Sequence, residues 1–280
     1  PTSLPVKRKS QPERFDGSQF QTQQFFAISK DGTKIPYFVV HKKGLKFDGS
    51  HPTLQYGYGG FEISMRPNHS STVGKTWLEK GGIFVLTNIR GGGEFGPKWH
   101  QAALKENRQV AYDDFIAISE DLIKRKITSP EKLAIKGGSN GGLLVGAVFV
   151  QRPDLYKAVV CQVPLLDMAR FHKLLAGANW VGEYGSVENP KQRTAILKYS
   201  PYQNVKESKQ YPQTLFITST KDDRVHPGHA RKMVAKMLDQ GHKVHYYETI
   251  EGGHSAAANN LQRAHRVAIE TIYLYKKLGL

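Results

Sequence analysis

The stretch Lys132-Leu-Ala-Ile-Lys-Gly-Gly-Ser-Asn-Gly-Gly-Leu-Leu-Val-Gly146, KLAIKGGSNGGLLVG, holds one serine, Ser139, between two pairs of glycines. Leu133 to Ile135 reads as a short strand, and an apolar run able to form a helix starts at Ser139 or Asn140. A glycine-rich turn between a strand and a helix can cradle a phosphate, present a nucleophile, or only reverse the chain. The choice decides both fold and chemistry.

Both phosphate templates fail here. No G-x-G-x-x-G frame fits residues 137–142, and Leu143 stands where a P-loop needs lysine. Gly137, Ser139 and Gly141 do fit G-x-S-x-G. In that nucleophile elbow the serine sits in a strained turn, its neighbours two residues away must lack side chains, and the next backbone N–H is freed for an oxyanion. A second glycine loop, Arg90-Gly-Gly-Gly-Glu-Phe-Gly96, contains G-x-G-x-x-G at Gly91, Gly93 and Gly96. It opens no periodic helix, and the acids about 20 residues on, Asp113 and Asp114, fall within a helix instead of ending a strand. It reads as a tight structural loop.

Outward from the elbow, strands alternate with helices. Phe25 to Ser29 and Ile35 to His41 flank Lys30-Asp-Gly32 as an antiparallel hairpin. Further strands are expected at 53–56, 83–89, 158–163, 214–218 and 244–249, with helices at 71–80, 109–124, 229–239 and along the C-terminal segment. In the 109–124 helix Ala111, Phe115, Ile118 and Leu122 share one face. This order specifies an α/β fold, a mostly parallel twisted sheet with helices on both faces and an antiparallel N-terminal hairpin. Residues 21–280 form the expected single domain. Residues 1–20, polar and rich in Pro, Ser and Gln, read as a linker or the tail of something removed.

A chain of 280 residues with 39% hydrophobic content can bury a full core. No run approaches the roughly 20 apolar residues of a membrane span, so no membrane partner is expected. The net charge of +16 is scattered, with short clusters only at Lys7-Arg-Lys9 and Lys124-Arg-Lys126, so no nucleic-acid partner is expected either. Cys161, the single cysteine, lies in the apolar run AVVCQV and reads as a small buried hydrophobe. Cytoplasmic localisation is expected, with the periplasm as the alternative.

A nucleophilic serine on such a sheet needs an acid and then a histidine later in the chain. The apolar strand 214–218 runs into Asp222 and Asp223, at the strand end where catalytic groups gather. The residue pattern does not choose between the two. Of the six histidines that follow, His226 and His229 lie close to the acids, and His242, His245 and His265 sit by a strand or on the last helix. His254, in the glycine-bearing loop Glu251-Gly-Gly-His254, is the candidate base.

Six spaced motifs then carry a resemblance: Tyr56-Gly-Tyr-Gly-Gly-Phe61, Asn88-Ile-Arg-Gly-Gly-Gly-Glu94, the elbow, Gln151-Arg-Pro-Asp-Leu155, Asp222-Asp-Arg-Val225 and Gly252-Gly-His254. From about residue 22 to its end the chain resembles the catalytic α/β-hydrolase domain of the prolyl oligopeptidase family of serine peptidases. The resemblance implies a triad of Ser139, Asp222 and His254, and an oxyanion hole from the Tyr58 hydroxyl and the Asn140 backbone N–H, the latter mattering more than the Asn140 side chain. It implies a proline pocket from Phe61, Leu165, Trp180, Tyr184 and Val225, with Arg224 gripping a substrate carbonyl. Leu165 is bulkier than the valine associated with that position. The implied substrates are short proline-containing peptides, no cofactor or metal is needed, and an upstream β-propeller is missing from these residues. The rival readings are an esterase or oligopeptidase of other specificity on the same scaffold, and a catalytically silent interaction domain.

Overall fold

The computed structural model describes residues 6, 8–10 and 12–280. Part of the expected linker, residues 1–5, 7 and 11, therefore lies outside the described residues. Eight strands form one sheet: β1 (Phe20–Ile28), β2 (Lys34–Lys42), β3 (Thr53–Tyr56), β4 (Ile83–Thr87), β5 (Leu133–Gly138), β6 (Ala158–Gln162), β7 (Thr214–Ser219) and β8 (Val244–Thr249). The α-helices are α1 (Ser71–Thr76), α2 (Pro97–Gln101), α3 (Gln109–Lys124), α4 (Asn140–Gln151), α5 (Val181–Tyr184), α6 (Pro190–Tyr199), α7 (Pro201–Asn204), α8 (Gly228–Asp239) and α9 (Asn260–Leu278).

The strand order is β1-β2-β4-β3-β5-β6-β7-β8. The hairpin β1–β2 and the pair β2–β4 are antiparallel, and every pairing from β4 through β8 is parallel. Each parallel crossover needs a long connection, which the intervening helices supply. The expected α/β-hydrolase architecture is therefore the observed one, with the hairpin added at one edge.

Two apolar cores form. The larger holds Ala111, Phe115, Ile118 and Leu122 of α3 together with Leu143, Leu144, Val145 and Val148 of α4. Nearly every residue of α4 is buried, as befits a helix that is apolar all round. The smaller core includes Leu54, Trp77, Leu215, Ile217, Tyr273 and Leu274. Phe15 also joins it, 5% exposed, so the fold begins inside the segment expected to be a linker.

The expected helix over 71–80 is broken. Trp77 leaves helical geometry (φ −131°, ψ −59°), and its indole N–H donates to the Ile83 carbonyl at 2.8 Å, which pulls the chain into β4. The loop with the G-x-G-x-x-G pattern is structural, as read. Arg90 pairs with the fully buried Asp114 of α3, and Gly91 (φ 95°) lies so close to Gly59 that a Cβ would sit 2.4 Å from its carbonyl oxygen. This contact seats the segment after β3.

Candidate active site

All the sequence-predicted site residues follow the carboxyl ends of parallel strands or the connections they feed, where an open α/β sheet offers a crevice. Ser139 stands between β5 and α4 with φ 58° and ψ −118°, a conformation that costs on the order of 1–3 kcal/mol for a residue with a side chain. The flanking glycines permit it. A Cβ on Gly137 would sit 2.1 Å from the Gly141 carbonyl oxygen, and one on Gly141 would sit 2.7 Å from that of Gly57. The Ser139 N–H donates to the Gln162 carbonyl at 2.9 Å, which ties the elbow to β6. The next N–H, that of Asn140, opens α4 and so has no acceptor in its own helix.

Beyond β7, Asp222 is buried and its Oδ1 accepts the backbone N–H groups of Arg224 (3.0 Å) and Val225 (2.9 Å). Its carboxylate lies 2.8 and 3.0 Å from His254 Nδ1. An ionised carboxylate only accepts, so Nδ1 carries the proton and Nε2 is left with a free lone pair. The neighbouring Asp223 is exposed. Of the two acids that the residue pattern left open, it is Asp222 that is buried, receives two backbone donors and meets His254.

His254 rides a tight turn beyond β8. Gly252 has φ 107°, and the Ser255 hydroxyl lies within hydrogen-bond reach of the carbonyls of Gly252 (2.8 Å) and Ala257 (2.7 Å). Among the described residues the Ser139 hydroxyl makes no hydrogen bond to His254. Such bonds commonly form only once substrate is bound.

Tyr58 follows β3 and packs beside Gly141. Burial raises its phenol pKa, against the opposing pull of Arg224 and Arg108, so the hydroxyl remains a donor at neutral pH. Beside it lies a pocket of about 120 Å³, lined by Tyr58, Phe61, Ile63, Ser139, Leu165, Trp180, Tyr184 and Arg224. Phe61 and Tyr184 meet edge to face with centroids 5.7 Å apart. Arg224 is exposed and makes no ion pair among the described residues, so its guanidinium is available to a ligand. Ile63 is a wall residue that the sequence reading missed.

One expectation needs correction. Val225 is not among the residues that line this pocket; its N–H donates to Asp222, and its side chain packs into the larger core. The Asn140 side chain is engaged as well as its backbone. Its Nδ2 donates to the Tyr58 carbonyl at 2.6 Å, and its Oδ1 accepts from Tyr184 Oη at 2.8 Å and from Arg108 Nη2 at 2.5 Å. Arg108 and Glu183, which complete this network, carried no sequence signal.

His229, on α8, is a buried scaffold histidine. Its Nδ1 accepts the N–H groups of Leu166 and Asp167, which fixes the segment carrying Leu165. Burial pushes its imidazole pKa down to about 4, with Asp167 pulling the other way. A depressed folded value means that the unfolded chain binds the proton first. Stability from this group is therefore full above about pH 6.5 and declines as the pH falls towards 4, by about 3 kcal/mol over the window. Denaturant unfolding at pH 7 and pH 4.5 should show this loss, and His229→Gln should flatten it; an equal loss in the variant would assign the effect to other groups.

Among the described residues no group of three or more His, Cys, Asp or Glu side chains is placed to hold a metal ion. The profile of the prolyl oligopeptidase family matches residues 68–280. A Sinorhizobium fredii protein named as an uncharacterized peptidase is 58% identical over 97% of this chain, which spans 38% of that relative's length. The prolyl endopeptidase of Elizabethkingia miricola is 48% identical over 80% of the chain, and the aligned region is 32% of that relative. The structure of a post-proline cleaving enzyme from Rickettsia typhi superposes with a TM-score of 0.92 at 44% identity, over 98% of this chain and 40% of that one. Motifs, topology and relatives agree over most of the chain, and it belongs to the prolyl oligopeptidase family.

Proposed function

We propose that this chain is the catalytic domain of a serine peptidase that hydrolyses short peptides on the carboxyl side of proline. The observation that carries the proposal is a strained serine opening onto a small aromatic pocket, with the buried Asp222 paired to a partly exposed His254 on the neighbouring loops. A pyrrolidine ring has no polar group to satisfy, so a flat wall from Phe61, Trp180 and Tyr184 favours it by apolar burial alone.

In the reaction His254 Nε2 takes the Ser139 proton as the hydroxyl attacks the carbonyl after proline, while Asp222 holds the imidazole and stabilises its positive charge. The oxyanion forms between the Tyr58 hydroxyl and the Asn140 N–H, which meet charge that develops only in the transition state. His254 then gives its proton to the leaving amine, and water resolves the acyl-enzyme by the same steps in reverse order. Arg224 takes a carbonyl of the substrate on the acyl side.

The matched region makes up only 38% and 40% of two relatives' lengths, which supports a longer protein with an upstream β-propeller that filters access. The oligopeptidase B of Leishmania major shares the scaffold at a TM-score of 0.90 and 31% identity, so specificity has to be tested directly. Peptides that differ only in the residue before the scissile bond should be compared. Proline is expected to exceed alanine and arginine in kcat/KM by at least about tenfold, in line with filling versus leaving an apolar pocket. A preference for arginine would overturn the pocket assignment.

A further inference from the structure

Arg108, at the start of α3, is among the largest fully buried side chains of the protein, and its charge lies where no solvent reaches it. It does not line the substrate pocket. Its guanidinium instead joins the segments that do. Nη1 donates to Glu183 Oε1 (2.9 Å) on α5, beside Tyr184. Nη2 donates to the Gly59 carbonyl (2.8 Å) and to Asn140 Oδ1 (2.5 Å), next to Ser139. Glu183 in turn accepts the Phe61 N–H at 2.9 Å with the same Oε1, and its Oε2 is 2.7 Å from His100 Nε2.

The segment held this way is under strain. Phe61 and Glu62 both have φ 57°, a left-handed conformation unfavourable for residues with side chains, and two in succession persist only where surrounding contacts dictate them. Arg108, Glu183 and Asn140 take the Gly59 carbonyl, the Phe61 N–H and the Tyr58 carbonyl, and the Glu62 N–H donates to the Gly91 carbonyl at 3.1 Å. Gly60 leaves no slack: a Cβ there would sit 2.5 Å from Asn140 Nδ2 and 2.8 Å from Arg108 Nη2. A flat guanidinium with several fixed donors can serve three acceptors at once, which a lysine ammonium on a flexible stem cannot reproduce.

We propose that Arg108, braced by Glu183, is a positioning residue that presets the Tyr58–Phe61 segment, and so aims the oxyanion donor and the proline-pocket wall from one buried centre. The proposal rests on the role given to Tyr58 above. It makes the strained segment ready before substrate arrives, so that little of the substrate's binding energy is spent on ordering it.

A double-mutant cycle tests it, run on this chain and on the chain joined to its proposed upstream domain. Steady-state kcat and KM for a proline peptide are measured for wild type, Arg108→Lys, Tyr58→Phe and the double variant. Arg108→Lys is expected to lower kcat at least about tenfold in the wild-type background and less than about threefold once the Tyr58 hydroxyl is gone, because the two act as one unit. KM should rise through Phe61 in both backgrounds. A merely structural Arg108 would lower activity by the same factor in each, and that additivity would overturn the proposal while leaving the proposed function intact. A Tyr58→Phe variant with wild-type kcat would overturn both. Should Arg108→Lys not fold, Glu183→Gln enters the same cycle with the same expected coupling, and additivity there is equally contradictory.

Discussion

Ser139→Ala is expected to lower turnover of a proline peptide by on the order of 10⁵-fold or more, the scale of loss when a triad serine is removed. The elbow makes this variant clean. Alanine at φ 58° is as strained as serine, so the substitution deletes the hydroxyl without relieving or adding backbone strain. Packing changes little, since one half-buried oxygen leaves a site that already faces the pocket. Thermal unfolding should therefore match wild type within a few degrees while kcat collapses. Retention of more than about 1% of wild-type turnover by a folded variant would remove Ser139 from its assigned role.

Asp222→Asn is expected to cost about 10⁴-fold in kcat, as when a triad aspartate elsewhere is made neutral and the histidine takes the wrong tautomer. The local bonding indicates why. Oδ1 receives the N–H groups of Arg224 and Val225, so an asparagine must keep its carbonyl oxygen there and turn its NH₂ towards His254 Nδ1. Nδ1 then accepts, the ring proton moves to Nε2, and the atom that should receive the serine proton already bears one. The neighbouring Asp223→Asn is the control, since that carboxylate is exposed. A loss below about tenfold in Asp222→Asn, or an equal loss in Asp223→Asn, would contradict this account; kcat/KM across pH measures both.

Much of this arrangement was legible because it is local. A glycine two residues either side of Ser139 reports a close backbone approach, and alternating strands and helices report a parallel sheet. Chain order, together with a strand's end and a glycine-bearing loop, pointed to the pair Asp222–Asp223 and to His254. Other features were hidden because they depend on partners far away in sequence. Arg108 bonds to residues 49, 32 and 75 positions distant, and no periodicity marks such a residue. The same distance concealed the second role of Asn140, whose side chain joins Tyr58 to Tyr184. Val225 was misplaced because a motif gives a position in the chain but not the direction of a side chain. Asp167 was hidden in the same way: it is fully buried and bound by Lys232, Arg170 and Gln203, the first 65 positions away.

The central claim is that Ser139 forms a covalent intermediate at a proline-selective pocket. Labelling with a fluorophosphonate, followed by mass mapping of the digested protein with and without an excess of a competing proline peptide, tests it most directly. One phosphonyl adduct is predicted, on the peptide that contains Ser139, with its formation slowed by the proline peptide and not by an alanine counterpart at the same concentration. An adduct on another residue, no adduct at all, or labelling indifferent to the proline peptide would contradict the account.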